Sequence, residues 1–278
     1  MTLAIDSETS IGGIAAKYPR SLGVFEKFRL DFCCHGERTL QQACEAAGAQ
    51  LEDVVRALRE PPASADGDAR DWTAATMTEL ADHIEATHHA FAREAFDRLA
   101  VLVPKVARHH GAAHPELFEI ERVVDRLREE MLDHMIREDR VLFPWLRRLE
   151  SKTSILSGPP WSVKRPIDCM VHDHEEVGRM LDSIRTLTNG FSTPPGACGS
   201  YQAMVGLLRD LEADTHVHIH KENSILFPAG IKAEAASGCR CGQRRDAGEP
   251  TESNGTVPGM RRKTCATHDG SDADSCGC

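Results

Sequence analysis

Between Trp72 and about Lys232, apolar residues recur at spacings of three and four, without sustained alternation of apolar and polar positions. That period predicts helix throughout. Pro, Gly and polar residues interrupt it at 104–115, 157–166 and 189–199, which divides the stretch into four long helices. Helices of roughly twenty-five to thirty-five residues, joined antiparallel, bury their apolar stripes against one another. The expected fold class is all-α, with a four-helix bundle over residues 72–232.

Residues 1–60 read differently, as a small domain of short helices. Ser10 can cap a segment carrying Ile11 and Ile14, Pro19 can open a second, and Thr39 can cap a third that Gly48 stops. Leu51, Val54, Val55 and Leu58 then share one helical face. A linker is expected at 61–71, where the run PPASADGDAR would let the small domain move relative to the bundle. Residues 233–278 form a Cys-containing tail with little to bury, and disorder is expected there.

Charge narrows the partners. The chain has 278 residues and a formal charge of −10, without a clustered basic stripe. Nucleic acid and anionic membrane surfaces both require local positive charge, so neither is an expected partner. No run approaches the roughly eighteen apolar residues of a spanning helix, and the start MTLAIDSETS has no basic segment followed by an apolar one. A soluble, cytoplasmic protein is expected. In that reducing compartment its ten cysteines read as mostly free thiols, or as metal or redox groups, rather than as disulfides.

The chemistry lies in an internal repeat. EMLDHMIREDRVLFP in the second long helix aligns without a gap to DTHVHIHKENSILFP in the fourth. Each copy has a carboxylate, a His four residues later, a Glu four residues after that, and then Leu-Phe-Pro: Glu130, His134, Glu138 in one, and Asp214, His218, Glu222 in the other. Residues four apart lie one turn apart on one face, so each copy aims an imidazole and a carboxylate at the same point. If the following Leu and Phe face the core, both groups are carried inside, where an unpaired carboxylate costs several kcal/mol. A metal ion removes that cost. Imidazole with carboxylate suits iron, manganese or zinc better than calcium, and two sets suggest two ions bridged by Glu138 and Glu222. A single His–Glu pair would read as an ordinary surface pair; duplication with the shared Leu-Phe-Pro argues otherwise.

The first and third helices must then supply ligands, from His83, His88 and His89, and from His172 and His174. Spacing does not decide among these. His89 shares a face with Phe96, Leu99 and Val103, and His174 with Val177, Leu181 and Ile184, which favours those two and leaves the others exposed or in supporting positions. His216 and His220 are also four apart, but only His218 fits the repeat. Glu130 and Asp214 read either as solvated acids or as groups that orient a ligand imidazole or relay protons.

These residues, with DFCCHGERTL at 31–40 and HEEVG at 174–178, resemble the iron–sulfur cluster repair di-iron (RIC) family of the ScdA/YtfE type, over about residues 10–230. The resemblance implies a hemerythrin-like bundle whose di-iron ligands are His89, His134, His174 and His218, with Glu138 and Glu222 bridging. It also implies an N-terminal domain carrying Cys33 and Cys34, and repair of iron–sulfur clusters damaged by nitric oxide or peroxide. The family commonly has Gly where this chain has His35, and the tail lies outside the resemblance.

The function expected is therefore that of a di-iron stress-response protein that supplies iron to damaged iron–sulfur proteins. Its cofactor would be two non-haem irons with an oxo or hydroxo bridge, released on reduction because few ligands are anionic. A hemerythrin-like carrier or sensor of nitric oxide or dioxygen is the competing reading, and a di-iron nitric oxide reductase a third, so whether the chain is an enzyme stays open; so does a homodimer. Structural zinc is the least suited to six ligands. Arg29, His35 and Arg38 could favour thiolates at Cys33 and Cys34, for redox exchange or metal transfer, although the pair could equally be core. Cys239, Cys241, Cys265, Cys276 and Cys278 with His268 match no structural zinc spacing well.

Overall fold

A computed structural model describes residues 6–60, 70–151 and 162–236, and among these it is all-α, with no sheet and a single isolated antiparallel bridge between Ser10 and Thr39. Most of the expected linker and tail lies outside the described residues. The helices are α1 (Ile11–Lys17), α2 (Leu22–Phe28), α3 (Leu40–Ala47), α4 (Leu51–Arg59), α5 (Met77–Ile84), α6 (Ala90–His110), α7 (Glu116–Arg137), α8 (Phe143–Ser151), α9 (Lys164–Leu187), α10 (Gly199–Lys221) and α11 (Phe227–Ala236). Short π-helical turns at Glu85–His89, Glu138–Leu142 and Glu222–Leu226 join α5 to α6, α7 to α8 and α10 to α11. These joined helices and α9 are the rods of the bundle, in which α6 packs on α7 and α10, and α7 on α9.

Local chemistry accounts for several boundaries. Ser10 Oγ accepts from the Gly13 N–H at the start of α1, and Thr39 forms a reciprocal capping box with Gln42 at the start of α3. Gly48, at φ 67°, closes α3 in a left-handed conformation that favours glycine. The break expected from residue 104 begins later. Helix α6 runs through Pro104 to His110, because Val103, Val106 and Ala107 are buried on its inner face and the packing outweighs one lost backbone hydrogen bond. Likewise Pro166 sits in the first turn of α9, where a missing N–H costs little.

The core is divided. One buried cluster takes Ala92 to Ala107, Leu117 to Met135, Val177 to Ile184 and Tyr201 to Ile219; the other takes Trp72 to Ile84, Leu142 to Leu149, Val163 to Met170, Leu226 and Phe227. In each rod the change from one cluster to the other falls at the histidines and glutamates singled out above. A polar layer thus crosses the bundle between two apolar ones.

The N-terminal helices share the first cluster. Ile11, Phe25, Phe32 and Leu40 are buried with Leu208, Leu211 and Ile219 of the bundle. Phe32 lies 5.9 Å from the Phe25 ring and 5.7 Å, edge-on, from His220. Helix α1 comes so close to the last π turn that a Cβ on Gly12 would stand 2.9 Å from the Gly36 carbonyl oxygen and 2.7 Å from Ser224 Oγ. The mobility suggested by the linker's composition therefore meets a packed apolar interface. Phe32→Ala should cost about 3–5 kcal/mol in denaturant unfolding, since the emptied volume lies between two packed units that cannot collapse into it; a loss below about 1 kcal/mol would show that the units do not depend on this contact.

Candidate metal centre

The polar layer is built where three rods loosen into π turns. In a regular α-helix consecutive side chains diverge by about 100°. A π turn carries an extra residue and is a frequent feature of functional sites. Here it lets neighbouring residues serve one layer: Glu138 with Asp139, Glu222 with Asn223, and His88 with His89.

His89, Glu138, His218 and Glu222 offer ligand atoms within 4.8 Å of one another, and so do His134, Glu138, His174 and Glu222. All six of these side chains are essentially inaccessible to solvent, and both glutamates belong to both groups. The imidazoles meet in pairs, His89 Nε2 3.2 Å from His218 Nε2 and His134 Nε2 3.1 Å from His174 Nε2. His218 Nε2 is 2.9 Å from Glu222 Oε1, and His174 Nε2 3.1 Å from Glu222 Oε2. Glu138 Oε2 lies 3.2 Å from His134 Nε2 and 3.4 Å from His89 Nε2.

Proximity does not satisfy these atoms. Both oxygens of Glu138 and Oε2 of Glu222 are buried without a well-formed hydrogen bond, which is costly unless a cation is held there. The imidazoles are also fixed from outside. Asp139 Oδ1 lies 2.8 Å from His89 Nδ1, and Asn223 Oδ1 2.9 Å from His174 Nδ1. Each oxygen accepts, so each Nδ1 donates, and in the neutral ring the lone pair is then on Nε2, directed at the layer's centre. Carboxylate or carbonyl partners fix metal-ligating histidines in this way. Asp173, bound by Arg137, lies 3.5 Å from His134 Nδ1. The donor set thus fits two ions of the imidazole–carboxylate class.

Burial opposes charge on His89, but its hydrogen bond to Asp139 and the adjacent negative charge of Glu138 outweigh that and raise its pKa to about 9. His134 is likewise opposed by burial, yet Glu138 and Asp173 raise it to about 10. Burial also opposes ionisation of Glu138, but His134 and His89 hold it well below the usual carboxylate range. Asn223→Ala removes the acceptor at His174 Nδ1 and should lower metal affinity about 10–100-fold in a chelator competition; affinity within about twofold of the parent would mean that Asn223 does not orient the ring.

The supporting acids differ from those considered in the sequence. Asp214 Oδ1 lies 2.8 Å from His88 Nδ1, not against a metal-facing imidazole. His88 is buried, with Nε2 3.0 Å from Lys221 Nζ and its ring parallel to that of His218 at 5.7 Å. Lys221 also reaches His83 Nε2 at 2.7 Å. His172 is exposed, His216 pairs with Glu26 at 2.6 Å, and His220 is buried and pushed down to about 4 by that burial. Glu130 is half-buried on α7. Asp139 and Asn223 escaped the sequence reading, yet each directly follows a repeat glutamate, and that shared position was the available signal.

Cys33 is buried and Cys34 half-buried, with Sγ atoms 3.7 Å apart. The sulfur of Cys34 raises the Cys33 thiol well above its ordinary value, and burial adds to this. The protein surroundings of Cys33 thus disfavour its thiolate, and the buried position accords with the alternative reading of the pair as core. Cys239, Cys241, Cys265, Cys276, Cys278 and His268 lie outside the described residues. No described helix is long and apolar enough to cross a membrane.

Known proteins resemble this chain in sequence. The family model of the hemerythrin HHE cation binding domain matches residues 81–229, and that of ScdA_N, a domain of unknown function, matches residues 7–61. The chain is 30% identical over 227 residues to the iron-sulfur cluster repair protein YtfE of Pectobacterium atrosepticum, covering 82% of this chain and 98% of that one. It is 31% identical over 238 residues to the protein of that name from Musicola paradisiaca, with the same coverage. Against the Escherichia coli protein the identity is 32% over 229 residues, covering 81% of this chain and 97% of its relative. The two family matches and these near full-length relatives show that the chain belongs to the YtfE/ScdA family of iron–sulfur cluster repair proteins, with a hemerythrin-like domain.

Proposed function

We propose that this protein binds two non-haem irons in the polar layer and uses them to repair iron–sulfur clusters damaged by nitric oxide or oxidative stress in the cytoplasm. The observation that carries the reading is that Glu138 and Glu222 each belong to both four-residue groups, the arrangement of two ions sharing bridging carboxylates. When bound, the irons supply a centre that changes between ferric and ferrous states.

The chain's own part is to hold and to release. His89 and His134 would serve different ions, as would His218 and His174, and Asp139 and Asn223 keep two of these rings turned inward. Only two carboxylates would serve both ions, so anionic attraction would be modest and a reduced, less highly charged iron would be held less firmly. This is the property required of an iron donor. The relatives' name, iron-sulfur cluster repair protein, supports damaged iron–sulfur proteins as the clients.

The test incubates the reduced, iron-loaded protein with an apoprotein whose cluster has been destroyed. Iron should leave this protein as client activity returns. A second reading, binding of nitric oxide or dioxygen, draws on the count of four side-chain groups per ion, which leaves room for a small ligand. Iron that stays bound while the optical spectrum responds reversibly to either gas would favour that reading and overturn iron donation.

A further inference from the structure

Outside the bundle centre, the described residues bring together a further group able to hold a metal: Asp31, Cys33 and Cys34, with ligand atoms within 4.8 Å of one another. We propose that these residues form a separate mononuclear site for a thiophilic divalent cation, of the zinc or ferrous class. The proposal does not depend on which activity the bundle performs.

The distances suit such an ion. Cys33 Sγ is 3.7 Å from Cys34 Sγ and 3.5 Å from Asp31 Oδ1. A tetrahedral ion about 2.3 Å from sulfur and about 2.0 Å from carboxylate oxygen holds its sulfurs about 3.8 Å apart, and sulfur and oxygen about 3.5 Å apart. Both of these separations therefore match edges of a tetrahedral site.

Asp31 is held in that position. Its Oδ1 accepts from the Cys34 N–H at 2.9 Å, and its Oδ2 lies 2.6 Å from His35 Nδ1. His35 thus occupies the outer oxygen and leaves Oδ1 beside the thiols. On the open side is a cavity of about 330 Å³ between the 26–35 segment and α9 and α10, bordered by Arg29, Glu175 and Arg179. It provides a fourth position for water or an incoming ligand.

The site adjoins the polar layer. Cys33 O accepts from Asn223 Nδ2 at 2.9 Å, and the same Asn223 holds His174, while Cys34 Sγ lies 3.6 Å from the His174 carbonyl oxygen. Binding replaces the two thiol protons with the cation, the protons pass to solvent, and no oxidation state changes.

The test uses the full chain with its bundle centre loaded with iron, and zinc as the probe. Bound zinc per chain is counted after equilibrium dialysis and compared with the Cys33→Ser/Cys34→Ser chain, whose tail cysteines are unchanged. The parent should bind about one zinc more, with the same iron content. Equal zinc counts, or extra zinc matched by lost iron, would overturn the proposal. A second measurement needs no variant: peptide-resolved alkylation of the parent, in which about one equivalent of zinc should slow modification of Cys34 tenfold or more. Alkylation of Cys34 unaffected by zinc would also overturn it.

Discussion

Replacing Glu138 by leucine should reduce iron to about one per chain or fewer, because this carboxylate belongs to both groups and its loss weakens both at once. The measurement is iron per chain by elemental analysis, alongside metal-dependent thermal stability. Leucine fits a buried position between apolar layers and removes a carboxylate whose two oxygens lack well-formed hydrogen bonds. The metal-free variant should therefore remain folded and lose most of the stabilisation that iron confers on the parent. Retention of two irons would remove Glu138 from the site, and with it the bridging arrangement.

The second large effect concerns pH. Without metal, His89 with a pKa of about 9 and His134 with one of about 10 are both protonated at neutral pH. Iron must displace those protons, so its apparent affinity rises with pH, by up to about 100-fold per unit while both histidines hold a proton, then more slowly above pH 9. Competition with a chelator of known proton dependence at pH 6, 7 and 8 measures the slope. The sign for metal-free folding is the reverse. Histidines raised above their unfolded value of about 6.5 contribute stability that is fully present below that value and lost as pH rises through about 9–10. An iron affinity flat from pH 6 to 8 would show that binding displaces no protons from these histidines.

Much of this was legible in one dimension because helices turn sequence spacing into direction. The gap of four between His134 and Glu138, repeated at His218 and Glu222, is itself a statement of shared face, and Leu142, Phe143, Leu226 and Phe227 indicated that this face turns inward. His89 and His174 could be favoured only through apolar neighbours on the same stripe. Pro104 misled because proline's local preference gave way to burial on both sides of it.

Sequence by itself determined the helical class, the repeat with its His134, Glu138, His218 and Glu222, and the character of the ions such donors suit, and it favoured His89 and His174 over their neighbours. Periodicity and donor chemistry are properties of the chain alone. Tertiary structure decided what depends on other rods: that His89 is held by Asp139 and His174 by Asn223, that Asp214 supports His88, and that the Cys33–Cys34 segment docks beside the layer through Asn223. These contacts span up to 190 residues and pass through π turns whose extra residue no simple period announces. Each partner of such a hydrogen bond is chosen by packing around it, and packing exists only once the rods have assembled.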